Sequence, residues 1–558
     1  MSINTNLRFT ILYLSLFALI FSCDTAPKHS KLKIFKYNQV SCRSADPADA
    51  GSQGVIWVVN QVFNGLVQMD DKMNIKPCLA KYWEVDPSGK QYKFHLRTNV
   101  NFHDDESFEG GIGRKMTAHD FVYSFNRIID PKTSSVGAWV FNGKVTKEDP
   151  FVAVNDSVFQ INLLQPFPPF LGMLGMQYCS VVPKEAVDFY GRDFPKHPIG
   201  TGPFRFKKWD EGKKMYLVKN KSYWERYGND SLPYLDAIKI TFIQDKHTEL
   251  MAFLKGDLDF LTSIDPSIKD ELLTIKGDLR PEFEDKLIFN KLPYLNTEYL
   301  GFMTDPSIKK DVNGKSLEGH PVFNKKVRQA IAHAIDKDEI VKFLRNSIGT
   351  PAHHGFIPPV MYGDMEYTWK GFNYDPNIAM KLLAEAGYPN GKGIPKIDMF
   401  VEHGAQDVCT AIHGQLKKIG IDINLVPTNK SFIKAEREKS TLICFYGQWI
   451  MDYPDPETFL TCFYGENPSS PNFTRYQNPA FDLKYEASIN TLDDYSRMKL
   501  YMDLDSMSTY DAPLIPIYYD QIVNFTHAHV QGLSVTPSKL LSLKYVDLIK
   551  EEGETIKK

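Results

Sequence analysis

Residues 448–460 read QWIMDYPDPETFL, and Asp452 is the side chain whose type and surroundings point most directly to ligand chemistry. It follows TLICFY (441–446), whose alternation reads as a buried strand, and stands between Trp449 and Tyr453. A carboxylate on an aromatic-lined loop can neutralise a cation. At about 4 Å and an effective dielectric near 20, such a pair attracts by about 4 kcal/mol before desolvation is subtracted. The plainer reading is a turn or cap residue. Asp455 suits that role, placed ahead of the helix that Pro456 opens.

The elements around this loop decide between the two readings. From about residue 323 the pattern alternates helices and strands. NKKVRQAIAHAIDKDEIVKFL places Val327, Ala330, Ile331, Ala334 and Ile335 at helical spacing, and Asp336 with Glu339 marks a second start. Asp375, Pro376, Gly387 and Pro389 cap, open and stop another helix. Strand 397–401, a helix to about Lys418, strand 421–426, a helix near 430–438 and strand 441–446 follow. This is α/β patterning, and in open α/β sheets ligands bind beyond the carboxyl ends of strands, where Asp452 falls. The earlier chain is richer in strands. YKFHLR (92–97) alternates Tyr92, Phe94 and Leu96, and 202–220 reads as two strands turning at Asp210-Glu211-Gly212. Between them Thr117 and Asp120 form a variant capping box, ahead of a helix that Phe121, Phe125 and Ile128 line and Pro131 stops.

With 558 residues the chain must split into two or three lobes, and its net charge of −3 argues against a nucleic-acid binder. Aromatic residues form 13% of the chain, which suits surfaces that grip varied ligands. Arg8 precedes the apolar run FTILYLSLFALIF, which is too short for a permanent span. It ends at Ser22-Cys23, the pattern of a bacterial lipoprotein signal, with Cys23 as the lipidated residue. The expectation is a protein tethered by lipid to the cell envelope. The other six cysteines (42, 78, 179, 409, 444 and 462) form no CxxC, and read as buried free thiols with room for one pair.

Rival functions leave weaker traces. No GxxxxGK[ST], HExxH or GxSxG is present, and GGIGRK (110–115) follows no strand, so an enzyme is not expected. His353 and His354 are adjacent and would point apart on an extended chain, a poor start for nickel or haem. The Trp and Tyr content would suit sugars or opines, and a passive envelope lipoprotein is the blandest alternative.

Several stretches, taken in order, resemble one family: ADPADAGSQG (45–54), 63–105, TAHDFVYSFNRIIDP (117–131), PIGTGPFRFKKW (198–209), 323–341, WIMDYPDPETFL (449–460) and APLIPIYY (512–519). They resemble the family 5 extracytoplasmic solute-binding proteins of oligopeptide and dipeptide ABC transporters. The resemblance implies an α/β, two-lobed periplasmic-binding-protein (Venus-flytrap) fold with an extra inserted subdomain. Its implied divisions are a signal peptide at 1–22, lobe I at 23–65, the inserted subdomain at 66–190, lobe I again at 191–290, lobe II at 291–510 and a C-terminal return to lobe I at 511–558. It further implies a monomer without cofactor or metal, whose partners are short peptides and the permease of an ABC transporter with its ATPase subunits. In such peptide binders the Asp of this motif grips the α-ammonium, here Asp452. Trp449 and the backbone from Gln448 to Met451 then form a flanking wall, with Tyr299, Tyr518 and Trp139 lining the pocket. Arg437 and Lys439 stand near a position that supplies a carboxylate partner in some relatives, although either also reads as a solvated helix charge. Stretches 106–116 and 305–320 depart from the family pattern as polar surface loops.

Overall fold

The structure, a computed structural model, describes residues 32–263 and 268–549. The lipoprotein signal and Cys23 lie outside the described residues. Its spine is an 11-stranded mixed sheet. From one edge the strands run Ile423–Thr428, Ile397–Glu402, Cys444–Ile450, Leu287–Phe302, Leu514–His527, Phe260–Thr262, Ile34–Asn38, Ala237–Thr241, Lys214–Lys219 and Phe204–Asp210. Thr350–Pro351 pairs alongside Leu514–His527. The two long central strands, Leu287–Phe302 and Leu514–His527, join the half built from residues before 263 to the half built from 397–450. Their register breaks between Pro293 and Thr297. A break there loosens the ladder where the halves meet.

Each half has its own core. Phe35, Tyr37, Trp57 and the Phe94–Phe121–Phe125–Phe159 cluster fill the first, which continues into a separate four-stranded sheet, Ala80–Val85, Gln91–Leu96, Val158–Asn162 and Phe151–Asn155. The second half packs both faces of its strands: Leu300, Ile331, Ile412 and Ile515 on one side, Tyr299, Phe356, Phe445 and Phe459 on the other. The sequence patterns explain the helices. Thr117 and Asp120 form a reciprocal capping box on Ala118–Ile129, and Asn324, Asp336 and Asp375 each accept from an N–H of the helix they precede. The turn joining Phe204–Asp210 to Lys214–Lys219 uses Gly212 at φ +68°, which a glycine adopts without strain.

Two expectations are adjusted. The strand expected at 421–426 is Ile423–Thr428. The strand expected at 441–446 is Cys444–Ile450, so Gln448 and Trp449 belong to the strand and only Met451 onward forms the loop. The polar stretch 106–116 lies largely at the surface and is anchored there: Phe108 is buried, and Arg114 binds both Asp120 and Glu185. The six cysteines in the described residues are free, five of them buried and Cys42 half-buried.

Candidate functional site

Strand Cys444–Ile450 carries the site. It pairs with Leu287–Phe302 along its whole length, from Phe302↔Cys444 to Asn296↔Ile450. On its other side Ile397–Glu402 reaches only Cys444 and Phe445. Residues 446–450 therefore present a free strand edge. Met451 donates its N–H to Leu295, on the paired side (2.8 Å). By the alternation of an antiparallel ladder, Gln448 and Ile450 turn their N–H and C=O groups to the open side.

The loop beyond the strand is braced at both ends. Trp449 Nε1 donates to Thr458 O (2.7 Å), and the Asp455 carboxylate accepts from Glu457 N (2.9 Å) with Arg497 3.7 Å away. Asp455 is thus a turn residue, as its position ahead of Pro456 suggests. Asp452 is not. Among the described residues its carboxylate makes no hydrogen bond or ion pair; only its N–H is engaged, with Thr458 Oγ1 at 3.4 Å. The side chain stays open to solvent, yet it sits in a crevice with Tyr178, Glu457 and Cys462 close enough to feel its charge. Water can touch the carboxyl, but little bulk solvent surrounds it. That desolvation pushes its pKa up from 3.8 to about 6, and nearby Glu457 adds to the rise. Glu457 is itself buried and accepts hydrogen bonds from the Tyr453 and Tyr485 hydroxyls. Asp452 thus adds an unpaired carboxylate to a crevice that already holds Glu457, whose charge Lys144 offsets in part.

The opposite wall comes from the first half of the chain. Trp139 packs on Tyr453 with ring centroids 6.2 Å apart, and a Cβ built on Gly172 would lie 3.1 Å from the Pro454 ring. Gly51, Ser52 and Gln53 are exposed, a Cβ on Gly51 would come within 3.4 Å of Tyr178 Oη, and helix Gln53–Val62 starts without a side-chain cap. This uncapped helix start therefore lies beside Tyr178, which in turn lies near Asp452.

Of the residues singled out from sequence, Asp452, Trp449 and Trp139 come together here. The Met451 side chain is buried in the core at 4% exposure, leaving only its backbone in the wall. Gln448 is exposed on the strand. Tyr299 is 1% exposed and packs on Phe356 and Phe445, while Tyr518, 4% exposed, lies on the other face of the sheet beneath Arg345. In this conformation neither tyrosine reaches the crevice of Asp452. Lys439 is exposed and pairs with Glu436 (2.7 Å), as a solvated helix charge would. Arg437 differs. Its guanidinium lies 4.3 Å from the Phe473 ring centroid and 5.3 Å from that of Phe445, and it donates to Tyr299 Oη at 3.4 Å. It has no acidic partner among the described residues. Tyr178 and the exposed 51–53 backbone were not singled out in sequence, because only the folding of distant segments brings them near Asp452; Glu457 lies in the same short motif, but nothing there marks it as buried.

Comparison with known proteins agrees with this architecture. The glutathione-binding protein GsiB of Pectobacterium atrosepticum is 26% identical over 513 residues, covering 90% of this chain and 92% of that one. The periplasmic oligopeptide-binding protein OppA of Salmonella typhimurium is 26% identical over 511 residues, covering 88% and 87%. Among solved structures, the periplasmic binding protein DppA of Helicobacter pylori in complex with the peptide STSA superposes with a TM-score of 0.74. It is 25% identical and covers 93% of this chain and 98% of that one. Residues 74–471 match the pattern of the bacterial extracellular solute-binding proteins, family 5. The chain belongs to that family, whose members share the two-lobed fold seen here.

Proposed function

We propose that this protein captures short peptides by their free N-terminus and delivers them to the permease of an ABC importer. The observation that carries the reading is the unpartnered Asp452 carboxylate at the mouth of a free strand edge. An α-ammonium is common to all peptides, so one acid anchors any sequence. The backbone behind it then adds to the open edge at 446–450 as an extra strand, engaging groups that every peptide has. Arg437, whose guanidinium lies within 3.1 Å of the Cβ position of Gly447, stands ready for the peptide carboxylate. The five steps from Gly447 to Asp452 span about 16 Å of extended strand, which corresponds to a ligand of about three to five residues. OppA and the DppA complex with STSA, both relatives of this chain, support a peptide as the guest. Closure of the two halves about the central strands buries it.

The Ser22-Cys23 junction after an apolar run supports lipidation at Cys23 and a tether to the envelope membrane. Metabolic labelling with palmitate should mark the wild type and spare Cys23→Ala.

The test of the anchor is calorimetry with a peptide and its N-acetylated form. Free peptide should bind more tightly by about 2–5 kcal/mol, the usual cost of removing one partner of a desolvated charge pair. Asp452→Ala should erase the difference. Equal affinities in the wild type would remove Asp452 as anchor.

A further inference from the structure

A second cavity opens on the other face of the same strand. It encloses about 180 Å³ and is lined by Glu298, Glu402, Asp407, Tyr446, Gln448 and Tyr518, with Arg345 at one end. Glu298 stands directly opposite Gln448 in one ladder and Tyr518 in the other, so these side chains share a face. With its amide oriented to satisfy its neighbours, Gln448 donates to Glu298 (3.1 Å) and accepts from Lys430 (3.3 Å). Arg345 is already committed: it donates to Asp520 at 2.6 Å, and its guanidinium lies over Tyr518. Glu402 and Asp407 form no ion pair among the described residues, so the lining carries an excess of negative charge. Asp407 in the first turn of Gln406–Lys417 also gains from the helix dipole, which explains one acid but not three. Tyr446 adds an independent observation. Its side chain is 5% exposed, and its hydroxyl finds no hydrogen-bond partner of acceptable geometry, although Tyr518 and Glu298 crowd it. A buried polar group left in that state is costly unless something fills the space.

We propose that this cavity receives the cationic side chain of a lysine or arginine in the bound peptide, making the protein selective for basic peptides. The inference rests on the peptide reading above, because the ligand must lie along the edge at 446–450 to present a side chain here. Side chains of an added strand alternate between the faces of the sheet. A peptide whose ammonium sits at Asp452 runs back past Gln448, and turns every second side chain toward Glu298. Glu298 itself holds its proton more readily than usual, with a pKa near 7, chiefly from desolvation and secondarily from Asp520. An entering ammonium or guanidinium relieves that cost.

Calorimetry with tetra-alanine and with variants carrying one lysine or one norleucine at position two or three tests the proposal. At one of these positions the lysine peptide should bind about tenfold more tightly than its norleucine counterpart, a difference of about 1.4 kcal/mol. The ratio should fall to about twofold or less in the Glu402→Gln/Asp407→Asn double variant, and the order should invert in Glu402→Lys. Equal affinities at both positions, or a ratio unchanged in the double variant, would overturn the inference while leaving the peptide reading intact. If none of the peptides binds, both fall together.

Discussion

On the proposed reading, a single side chain, Asp452, sets the pH behaviour of the site. An ammonium requires the ionised carboxylate, and in the free protein this group titrates near pH 6. Affinity for a free-amine peptide should therefore peak near pH 7, weaken about tenfold per unit below pH 6, and fall again above about pH 8 as the peptide amine loses its proton, with calorimetry at several pH values as the measurement. The stability effect has the opposite sense. The folded protein holds this proton more tightly than the unfolded chain, so the residue costs stability increasingly as pH rises from 3.8 to about 6, and fully above that. Asp452→Asn should accordingly raise the melting temperature of the ligand-free protein at pH 7.5, and the gain should vanish near pH 4. Arg437 makes the complementary case. Arg437→Met should weaken a peptide acid by about 2–5 kcal/mol and leave its C-terminal amide nearly unchanged. Asp452 was legible in sequence because its motif concentrates the unusual features of acid, aromatics and prolines in one short loop. Glu457 was not, since nothing in PETFL marks an acid that the hydroxyls of nearby Tyr453 and distant Tyr485 will bind.

At the level of the element, the strand Cys444–Ile450 positions the anchor, and its misread boundary is instructive. TLICFY stands out because both faces of that stretch are packed, whereas 446–450 lack a neighbour on one edge and, after buried Tyr446, alternate between half-buried and exposed. A strand that projects past its partner loses the apolar run that signals strands in sequence, and this projection is the functional feature. The helices were legible because their start signals are local: Thr117 with Asp120, Asp336 with Glu339, and Asp375 with Pro376 all act within four residues. The strand also steers the loop through Trp449, whose indole N–H reaches Thr458. Trp449→Phe keeps most of the packing and removes that bond. It should cost about 0.5–1.5 kcal/mol in peptide affinity, with a smaller change in melting temperature, because the loop loses its brace while the core against Phe473 persists.

For the whole molecule, the question is how a ligand at one loop moves two halves. On the proposed reading, Leu295 serves as the joint. It lies inside the register break of the central strand, donates its N–H to Pro537 (3.0 Å) and accepts from Met451 (2.8 Å), next to the anchor. On the proposed reading, a peptide that fixes Asp452 also fixes the segment on which the halves turn, while the opposite wall already meets the loop through Trp139–Tyr453 and Gly172–Pro454. Gly172 permits this approach, since even a Cβ there would come 3.1 Å from the Pro454 ring. A large side chain at this position should hold the halves apart without touching the ligand. In Gly172→Phe, affinity should fall by about tenfold, or about 1.4 kcal/mol. Small-angle scattering should show the compaction that peptide causes in the wild type reduced or lost in this variant. Normal compaction in Gly172→Phe would mean that closure does not pass through this contact, and that the peptide is held by the Asp452 half alone.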